Sequence, residues 1–469
     1  MNPITDNIIL LVDSYKFSHS VQYPKGTTEV YSYFESRGGA FPEITFFGLH
    51  YFLKQYLEKP ITQENIEEAA EFAKAHFGNE AMFNREGWEY ILNTHEGKLP
   101  ISIKAVAEGT SVDAKNVLMT VVNTDPKCFW LTNYLETLLS QVWYPSTIAS
   151  LSRQQKKYIK ASLEKSADSI DGLPFKLHCF GFRGVSSVES AGIGNAGHLV
   201  NFMGTDTLAG ILVAKKYYNC PMAGFSIPAS EHSTITSWGK EHELDAMRNM
   251  LEQYPTGLVA CVSDSFNIYK ACEEYWGTEL KDMILKRDGC LVVRPDSGEP
   301  TKIVPEVLDI LGKKFGYTIN SKGYKLLPPQ VRVIQGDGID LDTLPGILDA
   351  ILNAGWSTDN VAFGSGGGLL QKVNRDTCKF AFKCSSVTVN GEQRDVYKQP
   401  VGAEWKMSKK GKMKLVLDKG WNDYDTKLER FITVGVDDPR EDQLVEVYRN
   451  GEVLVNPTFA EIRKRAEIK

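Results

Sequence analysis

The sequence contains no CxxC pair. Its eight cysteines, at positions 128, 179, 220, 261, 272, 290, 378 and 384, stand singly and several lie inside apolar runs. That excludes a disulfide framework or a zinc ribbon and reads as reduced core thiols. A basic field is also missing: 53 Lys and Arg stand against 59 Asp and Glu, a net charge of -6, so a nucleic-acid partner is not expected. The longest early apolar run, IILLV at Ile8–Val12, ends at Asp13 without a basic leader, and neither a signal peptide nor a membrane span is predicted. There is no internal repeat and no low-complexity tract. What remains, 42% hydrophobic and 24% charged residues over 469 positions, suits a mildly acidic, soluble, cytoplasmic enzyme. Such a chain is too long for one core and is expected to hold two domains.

What the chain has instead is a recurring junction. CLVVRPDSGEP from Cys290 runs four apolar residues straight into Arg, Pro, Asp and Ser-Gly, and the same switch recurs in FKLHCFGFRG from Phe175, AGFSIPASEHS from Ala223, LVACVSDS from Leu258, VRVIQGDG from Val331 and NVAFGSGGG from Asn360. Helical periodicity follows such junctions, as in TDTLAGILVAKKYY after Gly204 and LDTLPGILDAILNAG after Asp340. Strands alternating with helices at this spacing predict parallel strands joined by crossovers, a closed or nearly closed βα (TIM-like) barrel over 149–383 in preference to an open sheet. In such barrels the chemistry sits at the carboxyl ends of the strands.

The flanks differ from this core. TEVYSYFESR reads as a strand and Thr62–Gly78 as a helix, and Asn390-Gly391 and Asn450-Gly451 mark tight hairpins. Residues 1–148 and 384–469 are therefore expected to build one mixed α/β domain from both chain ends. The basic run KMSKKGKMK at Lys406–Lys414 reads as a solvated hairpin or as a lid reaching for phosphates.

The strand-end residues describe a ligand class. Arg183, Arg294 and Arg375 offer forked donors for phosphate oxygens. The clusters QGDG and GSGGG let backbone N–H groups approach a phosphate closely. Asp296 and Asp337 are placed to accept hydrogen bonds from vicinal sugar hydroxyls. Together these point to a phosphorylated ribose, although each has an ordinary turn or surface reading when taken alone.

HCFGFRGVSS, GTDTLAG, PASEHSTITSWG, VVRPDSG, VRVIQGDG and AFGSGGGLLQKVNRD resemble, in order and spacing, the nicotinamide phosphoribosyltransferases of the type II phosphoribosyltransferase family. The resemblance runs from DSYKFSH at Asp13 to EIRK at Glu461. It implies a homodimer with shared active sites that joins nicotinamide to phosphoribosyl pyrophosphate with Mg²⁺, stimulated by ATP, in NAD salvage. No metal is expected to be held by protein ligands alone. By resemblance, Phe180 and the partner's Tyr15 sandwich the pyridine ring, and Asp206, which otherwise reads as a helix cap, takes the carboxamide N–H. Ser226 and Asp264 join the substrate-binding set. Arg183 and Arg294 hold the pyrophosphate side, and Asp296 and Asp337 hold the ribose. Gly336, Gly366, Gly367 and Arg375 cradle the terminal phosphate, assisted by Lys383, while Arg37, Lys398 and Lys406 reach the polyphosphate across the dimer.

His232, with Arg294 and Asp296, completes the catalytic set. It is implied to take the γ-phosphoryl group of ATP, with Glu231 orienting its ring. Its plainer reading is a half-buried histidine at a helix start. The chain departs from the family at Cys179, where an aspartate is expected, and at Ala260, where animal members have serine. SRGGAFPEITFFG is also shorter than in animal members, which suits a microbial enzyme. The competing functions are a nicotinate phosphoribosyltransferase, a barrel glycosidase built on Asp264 with Asp296 or Asp337, and a non-catalytic nucleotide-binding protein.

Overall fold

The computed structural model describes residues 6–399, 401–402, 407–421 and 427–468. They form two compact units. One comprises residues 1–150, 216–219 and 373–467, and the other 151–215, 220–372 and 468–469.

The second unit is built on six parallel strands. Their spatial order is Gly204–Thr205, Leu177–Cys179, Val361–Ser365, Val331–Gln335, Asp288–Arg294 and Thr256–Val262. The crossovers include the helices Val188–Leu199, Glu243–Gln253, Pro300–Phe315 and Thr343–Asn353. Apolar residues at three- and four-residue intervals turn one face of each helix onto the sheet; in Pro300–Phe315 these are Ile303, Val304, Val307, Leu308 and Leu311, all buried. Trp276 and Trp356 are fully buried in the same core.

One expectation changes here. The junction from Ala223 is not a strand: Phe225 and Ala229 make only single bridges, to Gly204 and Ala260, because Pro228 has no amide to continue a ladder. The segment after Ser265 is helical, passing from Ile268–Lys270 into a wider π-helix over Ala271–Glu279. The sheet is thus a parallel half-barrel.

The first unit holds a seven-stranded antiparallel sheet whose strands come from both ends of the chain. Their order is Glu392–Asp395, Phe380–Val389, Thr27–Ser36, Val117–Asn123, Ile101–Ala105, Val445–Arg449 and Glu452–Val453. Asn390 and Gly391, and Asn450 and Gly451, all have positive φ and close two hairpins of the type such dipeptides favour. The helix Gln63–Phe77 is capped by Thr62 and ends at left-handed Gly78. Phe380–Val389 pairs along its length with Thr27–Ser36, so Lys383 belongs to this sheet and not to the last strand of the 149–383 segment. Among the described residues no helix is long and apolar enough to cross a membrane.

Candidate active site

The carboxyl ends of five of the six parallel strands converge on a polar cavity of about 690 Å³, lined by Phe180, Arg183, Asp206, His232, Arg294 and Asp296 together with Gly336, Asp337, Gly366 and Gly367. A second cavity of about 440 Å³ shares Phe180, Asp206 and Arg294 with it. This second cavity has an apolar floor in which Ala260, Val292 and Ile334 pack together beneath Phe180.

Phe180 follows its strand directly, and its amide donates to Ser365 O at 2.9 Å. The ring lies so close to the next strand that a Cβ at Gly364 would collide with it. At Gly336 a Cβ would come within 2.9 Å of Asp296 Oδ1 and 3.3 Å of the Phe180 ring. Glycine at both positions is therefore a matter of space. The Arg294 guanidinium carbon sits 5.8 Å from the Phe180 centroid, within cation–π range.

Arg294 and Asp296 face each other. Arg294 Nε donates to Asp296 Oδ1 at 3.0 Å and Nη2 to Oδ2 at 2.8 Å, a bidentate fork. Asp296 has φ +52°, in the left-handed region that non-glycine residues seldom occupy. Its loop is held by fully buried Gln335, whose Nε2 donates to Asp296 O at 2.8 Å and to Asp337 O at 2.9 Å. One amide group thus ties together two of the loops that carry carboxylates. Arg183 is exposed and lines the same cavity.

His232 has a defined partner. Its Nε2 lies 3.0 Å from Asp264 Oδ1, and the Asp264 side chain is 3% exposed. The other Asp264 oxygen accepts the Ser297 amide at 2.8 Å and the Ser297 hydroxyl. Asp264 is thus held between His232 and Ser297. Glu231, expected to orient the imidazole, instead caps the short helix His232–Thr236 and accepts from Ser233. The Asp206 carboxylate accepts from Ser226 and its amide donates to Cys179 O.

Sequence reasoning missed His178, Gln335, Ser297 and Gly364. His178 lines the apolar cavity over Gly204, and burial pushes its imidazole below its ordinary pKa. Cys179, where an aspartate was expected, is buried beside Thr207, and burial pushes its thiol up to about 11, so it packs and does not react.

The remaining expected residues lie in the first unit. Tyr15 is 57% exposed. The Lys383 ammonium is pushed below its ordinary pKa, chiefly by burial and further by the charges of Arg37, Lys398 and Arg375, against Glu136. Four of the expected phosphate-binding cations thus form one basic cluster, with Arg37 steadied by Glu35 at 3.1 Å. Lys406 lies outside the described residues.

Residues 175–452 match the nicotinate phosphoribosyltransferase (NAPRTase) family, and residues 7–103 match the nicotinamide phosphoribosyltransferase N-terminal domain. A nicotinamide phosphoribosyltransferase of Xanthomonas campestris pv. campestris is 49% identical over 465 residues, covering 98% of each chain. One of Acinetobacter baylyi is 32% identical, covering 98% of this chain and 97% of its own. Among solved structures, human nicotinic acid phosphoribosyltransferase shares the fold with a TM-score of 0.55 at 15% identity, covering 97% of this chain and 93% of its own.

Proposed function

The chain belongs to the NAPRTase family, and from that premise we propose that it joins nicotinamide to phosphoribosyl pyrophosphate, giving nicotinamide mononucleotide and pyrophosphate, in NAD salvage. The observation that carries this reading is the pair of cavities sharing Phe180, Asp206 and Arg294. The apolar one suits a flat heterocycle and ends in a carboxylate, and it opens beside the reacting carbon onto an arginine- and glycine-lined cavity suited to phosphates.

In this reading the pyridine nitrogen of nicotinamide attacks the anomeric carbon as its bond to the pyrophosphate oxygen breaks. Phe180 orients the ring by stacking, with the partner's Tyr15 on the other face. Asp206, fixed by Ser226, accepts the carboxamide N–H and repels the carboxylate of nicotinate. Arg183 and Arg294 neutralise the charge that grows on the leaving group. Asp296 and Asp337 take the ribose hydroxyls. Gly336, Gly366, Gly367 and Arg375 receive the terminal phosphate, assisted by Lys383, while Arg37, Lys398 and Lys406 reach the polyphosphate from the second subunit of a homodimer. Asp337 lines the pocket and its carboxylate accepts no hydrogen bond from the described residues, so it fits a Mg²⁺ carried in on the pyrophosphate. When bound, that ion screens the phosphate charge.

ATP stimulation belongs to the same proposal. With Asp264 on Nε2, the His232 lone pair is at Nδ1. That nitrogen forms the N–P bond as the bond between the γ-phosphorus and the bridging oxygen breaks and ADP leaves. The finer fold is proposed as an irregular βα barrel in which Phe225–Ala229 closes the gap between the edge strands, supported by its bridges to Gly204 and Ala260. The setting is proposed to be the cytoplasm. A glycosidase is disfavoured because Asp264 is engaged by His232 and Ser297 and Asp296 by Arg294.

The test is pyrophosphate release from phosphoribosyl pyrophosphate with nicotinamide or nicotinate, each with and without ATP. Faster turnover of nicotinamide, raised by ATP, is expected. A preference for nicotinate overturns the amide assignment, and no release with either base overturns the reaction. For the shared site, mixed Tyr15→Ala and Phe180→Ala subunits regain activity after exchange; continued inactivity after proven exchange refutes it.

A further inference from the structure

The strand Thr27–Ser36 carries a carboxylate at a place where a sheet core normally has none. Side chains alternate along a strand, and Tyr33, Glu35 and, just past its end, Arg37 follow that alternation. Lys383 stands directly opposite Tyr33 on the neighbouring strand. Tyr33 is fully buried and Glu35 is 3% exposed. Both Glu35 oxygens are engaged: Oε1 accepts Arg37 Nε at 3.1 Å, and Oε2 accepts the ammonium of Lys409. Lys409 belongs to the basic run, and its backbone amide donates to the Tyr33 hydroxyl at 2.9 Å. The Arg37 side chain lies against the same hydroxyl. Next to Lys409, Ser408 exchanges two hydrogen bonds with Lys398: the Lys398 amide donates to Ser408 Oγ at 3.0 Å, and the Ser408 amide donates to Lys398 O at 3.3 Å. The basic run, read from the sequence as a solvated hairpin or a lid, is thus strapped at Lys409 to the sheet of its own unit.

A carboxylate in this place has two opposite consequences for an anion. As a charge, Glu35 repels phosphate and cancels part of the field of Arg37, Lys383, Lys398 and Arg375. As an anchor, it fixes cations that would otherwise drive one another apart and lose side-chain freedom on binding. The connections favour the anchor. Each oxygen takes a cation from a different segment, one at the end of the strand and one in the basic run, and the second reaches Lys398 through Ser408. Holding Arg37 by Nε does not close it off, since 20% of its side chain stays exposed, and Lys398 and Arg375 are exposed as well.

We propose that Glu35 is a positioning residue for the polyphosphate: from inside the sheet it holds Arg37 with one oxygen and, through Lys409, the segment that carries Lys398 with the other. Tyr33 is the second anchor of the same strap. The inference rests on the reading of this basic cluster as the polyphosphate site of the transferase.

The test is calorimetric titration of the full-length protein with inorganic pyrophosphate, alongside turnover. Arg37→Ala should weaken pyrophosphate binding at least about tenfold, which locates the anion at this cluster; unchanged binding overturns the proposal. Glu35→Gln keeps the size of the side chain and removes its negative charge. Positioning predicts that pyrophosphate binds at least about tenfold more weakly and that KM for phosphoribosyl pyrophosphate rises by a similar factor, while KM for nicotinamide stays within about twofold. Charge alone predicts the opposite sign, tighter pyrophosphate in Glu35→Gln, and either that result or unchanged binding overturns the proposal. Tyr33→Phe alters no charge and removes only the hydroxyl that takes the Lys409 amide. It should weaken pyrophosphate about threefold or more, which keeps the proposal open to refutation where Glu35→Gln does not fold; unchanged binding in Tyr33→Phe overturns it. Failure of the transferase reading shows separately, as an unaltered protein that binds pyrophosphate but does not release it from phosphoribosyl pyrophosphate with nicotinamide.

Discussion

Asp264→Asn is the sharpest perturbation of the His232 reading, because it changes one charge and almost no volume. In the structure the carboxylate serves two neighbours, with one oxygen toward His232 Nε2 at 3.0 Å and the other toward the Ser297 amide at 2.8 Å. An asparagine has only one acceptor to divide between them. The Ser297 amide and hydroxyl both donate to the same oxygen, so the asparagine oxygen stays with Ser297 and its NH₂ turns to the imidazole. His232 Nε2 must then accept, its proton moves to Nδ1, and the lone pair that should attack phosphorus points at the protein. Wrong-tautomer substitutions of this kind reduce rates by about 10²–10⁴-fold, or about 3–5 kcal/mol. The assay is labelling with ATP carrying γ-³²P, ATP hydrolysis and transferase turnover with and without ATP. Labelling and ATP stimulation should collapse, while transfer without ATP persists because Phe180, Arg183 and Arg294 are untouched. In the unaltered protein the label should reside on Nδ1, identified against the two isomeric phosphohistidine standards. Full labelling of Asp264→Asn, or label on Nε2 of the unaltered protein, refutes the reasoning.

Three further perturbations test other contacts. Gly364→Ala puts a methyl group into the Phe180 ring; the ring must leave its place, so KM for nicotinamide should rise about tenfold or more for a stability loss of about 1–3 kcal/mol, and an unchanged KM would remove Phe180 from the substrate. Asp206→Asn replaces the repelling charge with an amide, so nicotinate should gain on nicotinamide by at least about tenfold in kcat/KM, about 1.4 kcal/mol; an unmoved ratio would leave Asp206 only its bond to Ser226. Glu108 is buried near His50, Tyr218 and Arg465, and its carboxyl stands at about 7 against an ordinary 4.5. The folded state therefore binds the proton more tightly. The stability this contributes, about 3 kcal/mol, is fully present below about pH 4.5 and lost as pH rises through about 7. Denaturant unfolding of Glu108→Gln and the unaltered protein should show a difference that shifts by that amount, in favour of the variant, between pH 4.5 and 8; a pH-independent difference would show that Glu108 does not titrate there.

The strand ends were legible because a parallel sheet buried on both faces needs apolar runs, and each run must stop where its backbone reaches solvent. Asn390-Gly391 and Asn450-Gly451 were legible for a local reason, the positive φ that both hairpins require. Pairings between distant segments were not. Nothing in LVACVSDS or SEHST indicates that Asp264 and His232 meet, and nothing near Lys383 indicates that its strand pairs with Thr27–Ser36. The segment from Ala223 misled for the opposite reason: its apolar pattern suits a strand, and the single residue Pro228 removes the ladder. His178 and Gln335 sit inside apolar runs where a buried polar residue has no pattern to mark it, and their roles follow only from what the fold sets beside them.

The Arg294–Asp296 fork reconciles two roles that seem to compete. Arg294 is expected on pyrophosphate and Asp296 on ribose, yet each already satisfies the other. A guanidinium carries five N–H donors, and the fork uses two, leaving three for phosphate oxygens. The two carboxylate oxygens likewise keep lone pairs for sugar hydroxyls. Substrate can therefore be held without breaking the pair, and neither group has to reorganise as charge develops, which is the condition under which fixed dipoles act most strongly on a transition state. The left-handed backbone at Asp296 and the two hydrogen bonds that Gln335 donates to the two loops then have a common purpose. They hold the fork in place, so that the arginine lines the polar cavity and lies over Phe180. Shortening Gln335 to alanine should accordingly lower kcat more than it raises KM, since the groups that bind remain while the geometry that aligns them is released.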